Sequence, residues 1–450
     1  MLRPDLLPVL LWIALGLYPA FYLGVLLHEI GHAVAGRLLG FTITSFGLGV
    51  RAPLLSVTVP GTATRFYVCR GSALQGFTWY IQTDPFPSPR RFILMVLGGA
   101  LANLAGVGAS LLLWRATGWL PVLLLAAANA ILTAMALVPY SYAVPPSGAR
   151  FHSDGALALA RLLGSAPRRR TYSPGALLGM SPLWEAVGDR QMLCAQRLAA
   201  ALYAAEIGDE QGARRYREAA SDTLASLPPG PLPEFLAAYA RLIEGQIHAY
   251  AGRWAEATDA LRAAEESLAA GGYGSAARLA EVLRHAAAPA EEPASLRAAE
   301  AALARNAGAW EASRGRRKHP ALALATYEAW LLVHLRARQA KDVLLDAFPE
   351  RLETILARYE AAARRGRDHL ADLRVYSALA RYREQMGDAE AAAVARRRAV
   401  DAARAVDAAL SDDADARRAF AARAGAEGIS LAVPPPSRPS EEPAGRRRRR

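Results

Sequence analysis

The chain is poor in lysine, in cysteine and, over its first third, in acid. Among its 450 residues only Lys318 and Lys341 are lysines, so arginine carries the formal net charge of +12. Part of that charge is the terminal run Arg446–Arg450. Such a bias reads as codon composition as much as adaptation to a polyanion, and no nucleic-acid partner is expected from it. The only cysteines, Cys69 and Cys194, exclude a disulfide framework and a cysteine-built zinc ribbon, and both suit a reducing compartment. Over residues 1–165 the only acidic side chains are Asp5, Glu29, Asp84 and Asp154.

Apolar residues fill that region instead. Leu6–Leu27, Phe92–Trp114 and Trp119–Tyr140 are uncharged runs of 22, 23 and 22 residues. A helix rising about 1.5 Å per residue crosses a bilayer core of about 30 Å in about 20 residues. Tyr18, Tyr22, Trp114, Trp119 and Tyr140 supply interfacial anchors. The first run lacks a basic leader and continues straight into a polar cluster, so an uncleaved first span is expected rather than a signal peptide.

Between the first two runs, residues 41–83 are rich in β-branched and aromatic residues punctuated by glycine and proline, which predicts a small β element. After the third run, PYSYAVPPSGARFHSDG reads as a loop and ALALARLLG as a short amphipathic helix. The expected organisation is a membrane-embedded core over 1–165, a linker over 166–189 containing Arg168–Arg170, a soluble all-α region over 190–430 and a disordered Pro/Arg-rich tail over 431–450. Within 190–430, the stretches at 205–209, 251–257 and 386–393 share small residues around a glycine at a helix–turn–helix corner. They are similar to tetratricopeptide repeats, best at Gly245, Gly252, Ala257 and Ala264, although the spacing is irregular. Such a region is a candidate site for a protein partner. Arg37, Arg51, Arg65, Arg70, Arg90, Arg91 and Arg150 lie on one side of the predicted spans with the whole C-terminal region, against Arg3 and Arg115 on the other. Positive charge marks the cytoplasmic side, so a multi-pass protein with its N-terminus out and C-terminal region in the cytoplasm is expected.

The first apolar run ends in HEIGH, with His28, Glu29 and His32 in a helix. Ionisable groups in such a setting mark a functional site. Residues i and i+4 share a helix face, so the two imidazoles can grip one metal ion. Glu29 lies about 100° round the helix, within reach of a water on that ion. Two histidines, a carboxylate and an open position make a catalytic zinc arrangement, with Glu29 as the base. The third ligand has three candidates. Asp154, just after the third run, returns to the depth of the histidines and is favoured, with Asp84 and His152 as competitors. Asp154 also reads as an N-cap for the following helix. In the second run, Gly98, Ala102 and Gly106 form a small-residue face for close helix approach, and Asn103 lies beside it. Its amide is either interhelical glue or a donor to a substrate carbonyl near the metal.

HEIGH closing a first span, a β-rich loop, G-x-x-x-N in the next span and Asp154-Gly155 after the third resemble the site-2 protease family of membrane-embedded zinc metalloproteases, over residues 6–165. The resemblance implies a three-span metalloprotease core, zinc on His28, His32 and Asp154, and Glu29 as catalytic base. It matches Asn103 to the family asparagine, and gives the β-rich loop a part in presenting a membrane-protein substrate. This chain has Gly99-Ala100 and Ser153-Asp154 where the family often has Gly-Pro and Leu-Asp. The expected function is intramembrane proteolysis near the cytoplasmic face. The alternative is a non-proteolytic membrane scaffold whose helical repeats bind partners.

Overall fold

The structure, a computed structural model, describes residues 6–49, 52–70, 75–84, 89–144, 149–162, 174–179, 181–287, 293–312, 320–339, 352–363, 368–411 and 413–431. It is mostly helical, with one four-stranded sheet and one two-stranded sheet.

The three apolar runs are three helices: α1 (Leu6–Leu38), α2 (Pro89–Thr117) and α3 (Leu120–Leu137). Helix α1 does not stop where its uncharged run stops. It carries HEIGH through to Leu38, so the ionisable cluster lies within a continuous helix. The α1–α2 crossing is backbone against backbone. A Cβ on Gly31 would stand 2.4 Å from the Gly98 carbonyl oxygen, and one on Gly98 would stand 2.7 Å from the Gly31 carbonyl oxygen. Glycine at both positions is what permits that approach. About two turns nearer the α1 N-terminus, Gly24 and Gly106 make room for Asn129 of α3. Asn129 is buried and donates its amide to the Leu125 carbonyl at 2.8 Å.

The sequence between α1 and α2 folds as β1 (Thr42–Leu48), β2 (Pro53–Thr58), β3 (Arg65–Cys69) and β4 (Gly76–Ile81). Their order is β2-β3-β1-β4, with β1 parallel to β3 and antiparallel to β4. The β expectation is met, with β4 an edge strand that leads towards α2 and packs on α1.

Two expectations change. The segment after α3, read as a loop, contains a two-stranded ladder of β5 (Ser141–Val144) and β6 (Ala149–His152). Proline content hid the strand alternation there. The described part of the expected linker, 174–179 and 181–189, is also packed structure. Helices α5 (Pro174–Leu178) and α6 (Ser181–Val187) follow α4 (Asp154–Leu162), and Trp184 and Val187 are buried with Tyr67, Cys69 and Phe77 of the sheet. Arg168–Arg170 and nearly all of the 431–450 tail lie outside the described residues.

From α7 (Arg190–Ile207) and α8 (Glu210–Ala225) onward the chain runs as helices, through α9 (Pro231–Tyr250) and α10 (Trp254–Ala270) to Ala414–Ala426. The three corners singled out in the sequence are built alike. Gly208, Gly252 and Gly387 all have left-handed φ, at 90°, 74° and 76°. At two of them the next residue caps the following helix: Asp209 accepts from the Gly212 N–H and Asp388 from the Ala391 N–H. Gly245 of α9 accepts the Leu261 side chain of α10, and Ala257 and Ala264 are fully buried.

The crossing generates a matched pair of variants. Gly31→Ala forces a Cβ against the Gly98 carbonyl, whereas Gly108 of α2 has nothing within 4 Å. Overpacking of this kind costs about 1–3 kcal/mol. Thermal unfolding in detergent should therefore show a lowered midpoint for Gly31→Ala and an unchanged or raised one for Gly108→Ala. Equal midpoints would contradict the close crossing.

Candidate metal centre

Side chains from two elements converge at the glycine crossing. Helix α1 supplies His28 and His32 one turn apart, and the first residue of α4 supplies Asp154. Among the described residues these form the one group of three side chains placed to hold a metal ion. The separations are His28 Nε2–His32 Nε2 3.1 Å, His28 Nε2–Asp154 Oδ2 3.2 Å and His32 Nε2–Asp154 Oδ2 3.3 Å. Ligand atoms about 2.0–2.1 Å from a tetrahedral zinc stand about 3.3 Å apart. The triangle therefore has the size of three corners of such a tetrahedron. The donor chemistry also fits. Asp154 Oδ2 is buried and receives no aligned hydrogen bond, although both imidazoles are close, which is the situation of an oxygen suited to a cation. Burial raises the Asp154 carboxyl, but the two imidazoles more than reverse this and hold it at about 2, so it is ionised as a ligand must be.

Each ligand is oriented by a second group. His32 Nδ1 lies 3.1 Å from the Met95 carbonyl oxygen of α2, with the Gly99 N–H also approaching it at 3.3 Å. Donation from Nδ1 to that carbonyl leaves the Nε2 lone pair for a metal. Asn103, fully buried, lies with its Nδ2 3.3 Å from His28 Nδ1, and its Oδ1 has no hydrogen-bond partner. Turning the amide over presents Oδ1 to Nδ1–H, satisfying both groups and freeing His28 Nε2 in the same way. Asn103 thus sits behind a ligand, against the far nitrogen of His28.

Asp154 is fixed by its neighbours. Ser153 is the cap of α4: its Oγ accepts from the Ala156 N–H at 3.2 Å and donates to the Val138 carbonyl at 2.7 Å. The N-cap expected of Asp154 therefore falls one residue earlier, leaving the carboxylate for the histidines. Gly155 lets α4 start against α3, since a Cβ there would lie 1.9 Å from the Leu137 carbonyl oxygen. Asp84 is not in the group. His152 is on β6, and its side chain lies outside the described residues.

Glu29 is buried and is not one of the three. Its Oε2 accepts from Thr78 Oγ1 of β4 at 2.7 Å. Gly76 of β4 leaves room for the same carboxylate, for a Cβ there would stand 2.4 Å from Glu29 Oε1.

Sequence reasoning brought His28, His32, Asp154, Glu29 and Asn103 to one place and missed three others. Thr78 looked like an ordinary strand residue. Ser153 passed as loop. Gly99 lies over both imidazoles, where a Cβ would meet His32 Nε2 at 2.5 Å and His28 Nε2 at 2.6 Å. In the sequence it is marked only by adjoining Gly98, the first member of the four-residue small series of α2. Comparison of the chain with protein-family models, with curated proteins and with solved structures gives no match in any of the three.

Metal analysis of purified variants checks the assignment. With added zinc as the probe ion, His28→Ala, His32→Ala and Asp154→Asn should each lose binding, and Glu29→Ala should keep it. Gly99→Ala should weaken zinc affinity by about 10–100-fold, the range found when groups supporting metal ligands are disturbed. Full zinc in Asp154→Asn would remove Asp154 from the ligand set.

Proposed function

We propose that the chain is an intramembrane zinc endopeptidase of the site-2 protease type. The observation that carries this reading is the ligand triangle of His28, His32 and Asp154 with Glu29 beside it but outside it. A site that only needed to hold a metal would have no use for that buried carboxylate.

A zinc ion held there would act as a Lewis acid towards a peptide carbonyl and towards water. The protein's own groups do the rest. Glu29 accepts the proton as water adds to the carbonyl carbon, then delivers it to the nitrogen as the C–N bond breaks. Asn103 and the Met95 carbonyl keep the two imidazoles in register. Strand β4, the edge strand of the sheet among the described residues, lies beside Glu29 and offers backbone groups to an extended substrate.

Two helices, over Arg90–Thr117 and Leu120–Leu137, are long and apolar enough to cross a membrane. We take α1 as a third. Large apolar side chains face outward on all three, among them Leu15, Leu23 and Val34 on α1, Leu104 and Leu112 on α2, and Ile131 and Met135 on α3. In water this would be an aggregation surface; in lipid it is ordinary. The substrate is then a membrane-spanning or membrane-associated protein, and the helical region after residue 189 recruits it or an adaptor from the cytoplasm.

Two measurements bear on this. Proteins that accumulate uncut in membranes carrying Glu29→Ala, and are cut in those carrying the natural chain, are the substrates; cleavage should fall by about 10²–10⁴-fold, the usual worth of a general base. Undiminished cleavage by Glu29→Ala would leave only a scaffold. Topology needs an introduced thiol. Both native cysteines are buried, and burial pushes the Cys194 thiol up to about 12, so neither should react in the folded protein. Ser221→Cys, at an exposed position of α8, should be labelled by an impermeant maleimide only after cell lysis. Labelling in intact cells would reverse the orientation.

A further inference from the structure

The strand that touches Glu29 is held from its other face by α6 and the cap of α7, where the chain enters the helical region. Side chains alternate along a strand, so Thr78 and Trp79 of β4 point to opposite sides. Thr78 points to α1. Its hydroxyl lies 2.7 Å from Glu29 Oε2 and 3.1 Å from the Glu29 main-chain oxygen, so its one proton goes to the nearer acceptor, the side chain. With Gly76 against Oε1, both carboxylate oxygens face β4. Trp79 points the other way, where its ring meets Trp184 of α6 edge to face, with centroids 4.2 Å apart and planes at 81°. Trp184 is buried.

A second tie acts on the same rung of the ladder. Trp79 is paired with Ser45 of β1, and Ser45 Oγ donates to Asp189 Oδ2 at 2.7 Å. The other Asp189 oxygen accepts from the Met192 N–H at 3.0 Å and caps α7, the first long helix of the C-terminal region. Asp189 is itself buried. The rung next to Thr78 is therefore fixed at both of its residues to the start of the helical region. Without those ties β4 would be an edge strand secured by one neighbour.

We propose that Thr78 is a positioning residue for Glu29, and that Trp184, by seating Trp79, sets where Thr78 stands. The inference rests on the peptidase reading for its consequence in catalysis, and on geometry alone for the contact. The helical region is then more than a recruiting surface: it holds the strand that aims the base, so a partner that shifts α6 changes turnover without touching the metal ligands.

Two experiments on the full-length protein test this. The first needs no activity. In detergent, the unfolding midpoint of the single variants Thr78→Val and Glu29→Ala is compared with that of the double variant. The contact requires that Thr78→Val lower the midpoint in the natural background and lower it much less when Glu29 is absent. Strictly additive shifts would overturn the contact. The second uses a substrate identified by the Glu29→Ala comparison. Thr78→Val should lower kcat by about tenfold, the upper scale of one hydrogen bond, with KM and zinc content unchanged. Thr78→Ser should restore most of it. Trp184→Ala should lower kcat in the same direction, with less than the product of the two losses when combined with Thr78→Val. A natural kcat in Thr78→Val, loss of zinc, or failure of serine to rescue would each overturn the role of Thr78. Fully multiplicative losses would overturn that of Trp184. Failure of the peptidase reading is distinguishable, because it appears as undiminished cleavage by Glu29→Ala.

Discussion

The contact between the backbones of α1 and α2 at Gly31 and Gly98 governs everything above it. Helices that meet at side-chain distance would leave His32 short of the Met95 carbonyl and His28 short of Asn103. Because the glycines remove that spacing, the imidazoles reach into α2, and the α2 backbone becomes part of the ligand support. Gly99 extends the same logic by one residue. It leaves open the volume in which the two rings and the Asp154 carboxylate meet.

The third ligand depends on a different economy of space. Asp154 opens a helix whose cap, Ser153, is tied to the last turn of α3, and Gly155 lets that helix begin in contact with the Leu137 carbonyl. The Ser153-Asp154-Gly155 triplet thus divides its labour: hydroxyl for the backbone, carboxylate for the histidines, absent side chain for the neighbour. Gly99-Ala100 and Ser153 are both used by this packing, since Ala100 is buried and Ser153 caps.

How far the sequence discloses this follows from the range of each signal. HEIGH is legible because its chemistry is written in a four-residue spacing that any helix honours. Asp154 is legible through scarcity, in a region with almost no acid. The four-stranded sheet and the glycine corners at 208, 252 and 387 follow from local composition and turn chemistry. Asn103 was legible as a buried polar group, but its partner was not, because that depends on which face of α2 meets α1. Thr78 carried no local mark, since only the sheet order makes β4 the strand beside Glu29. The stretch around Trp184 reads as a linker on its Pro and Arg content, whereas its aromatic packs on the sheet, a contact that only the fold brings about.

The division of the ligands between α1 and α4 has a consequence for biosynthesis. His28 and His32 emerge from the ribosome early, but the Asp154 that completes their triangle emerges only after α2 and α3 have been made. A chain stalled or truncated before that point has a pair of histidines and no closed site. The order of synthesis itself thus keeps the ligand set incomplete until the helices that must surround it exist.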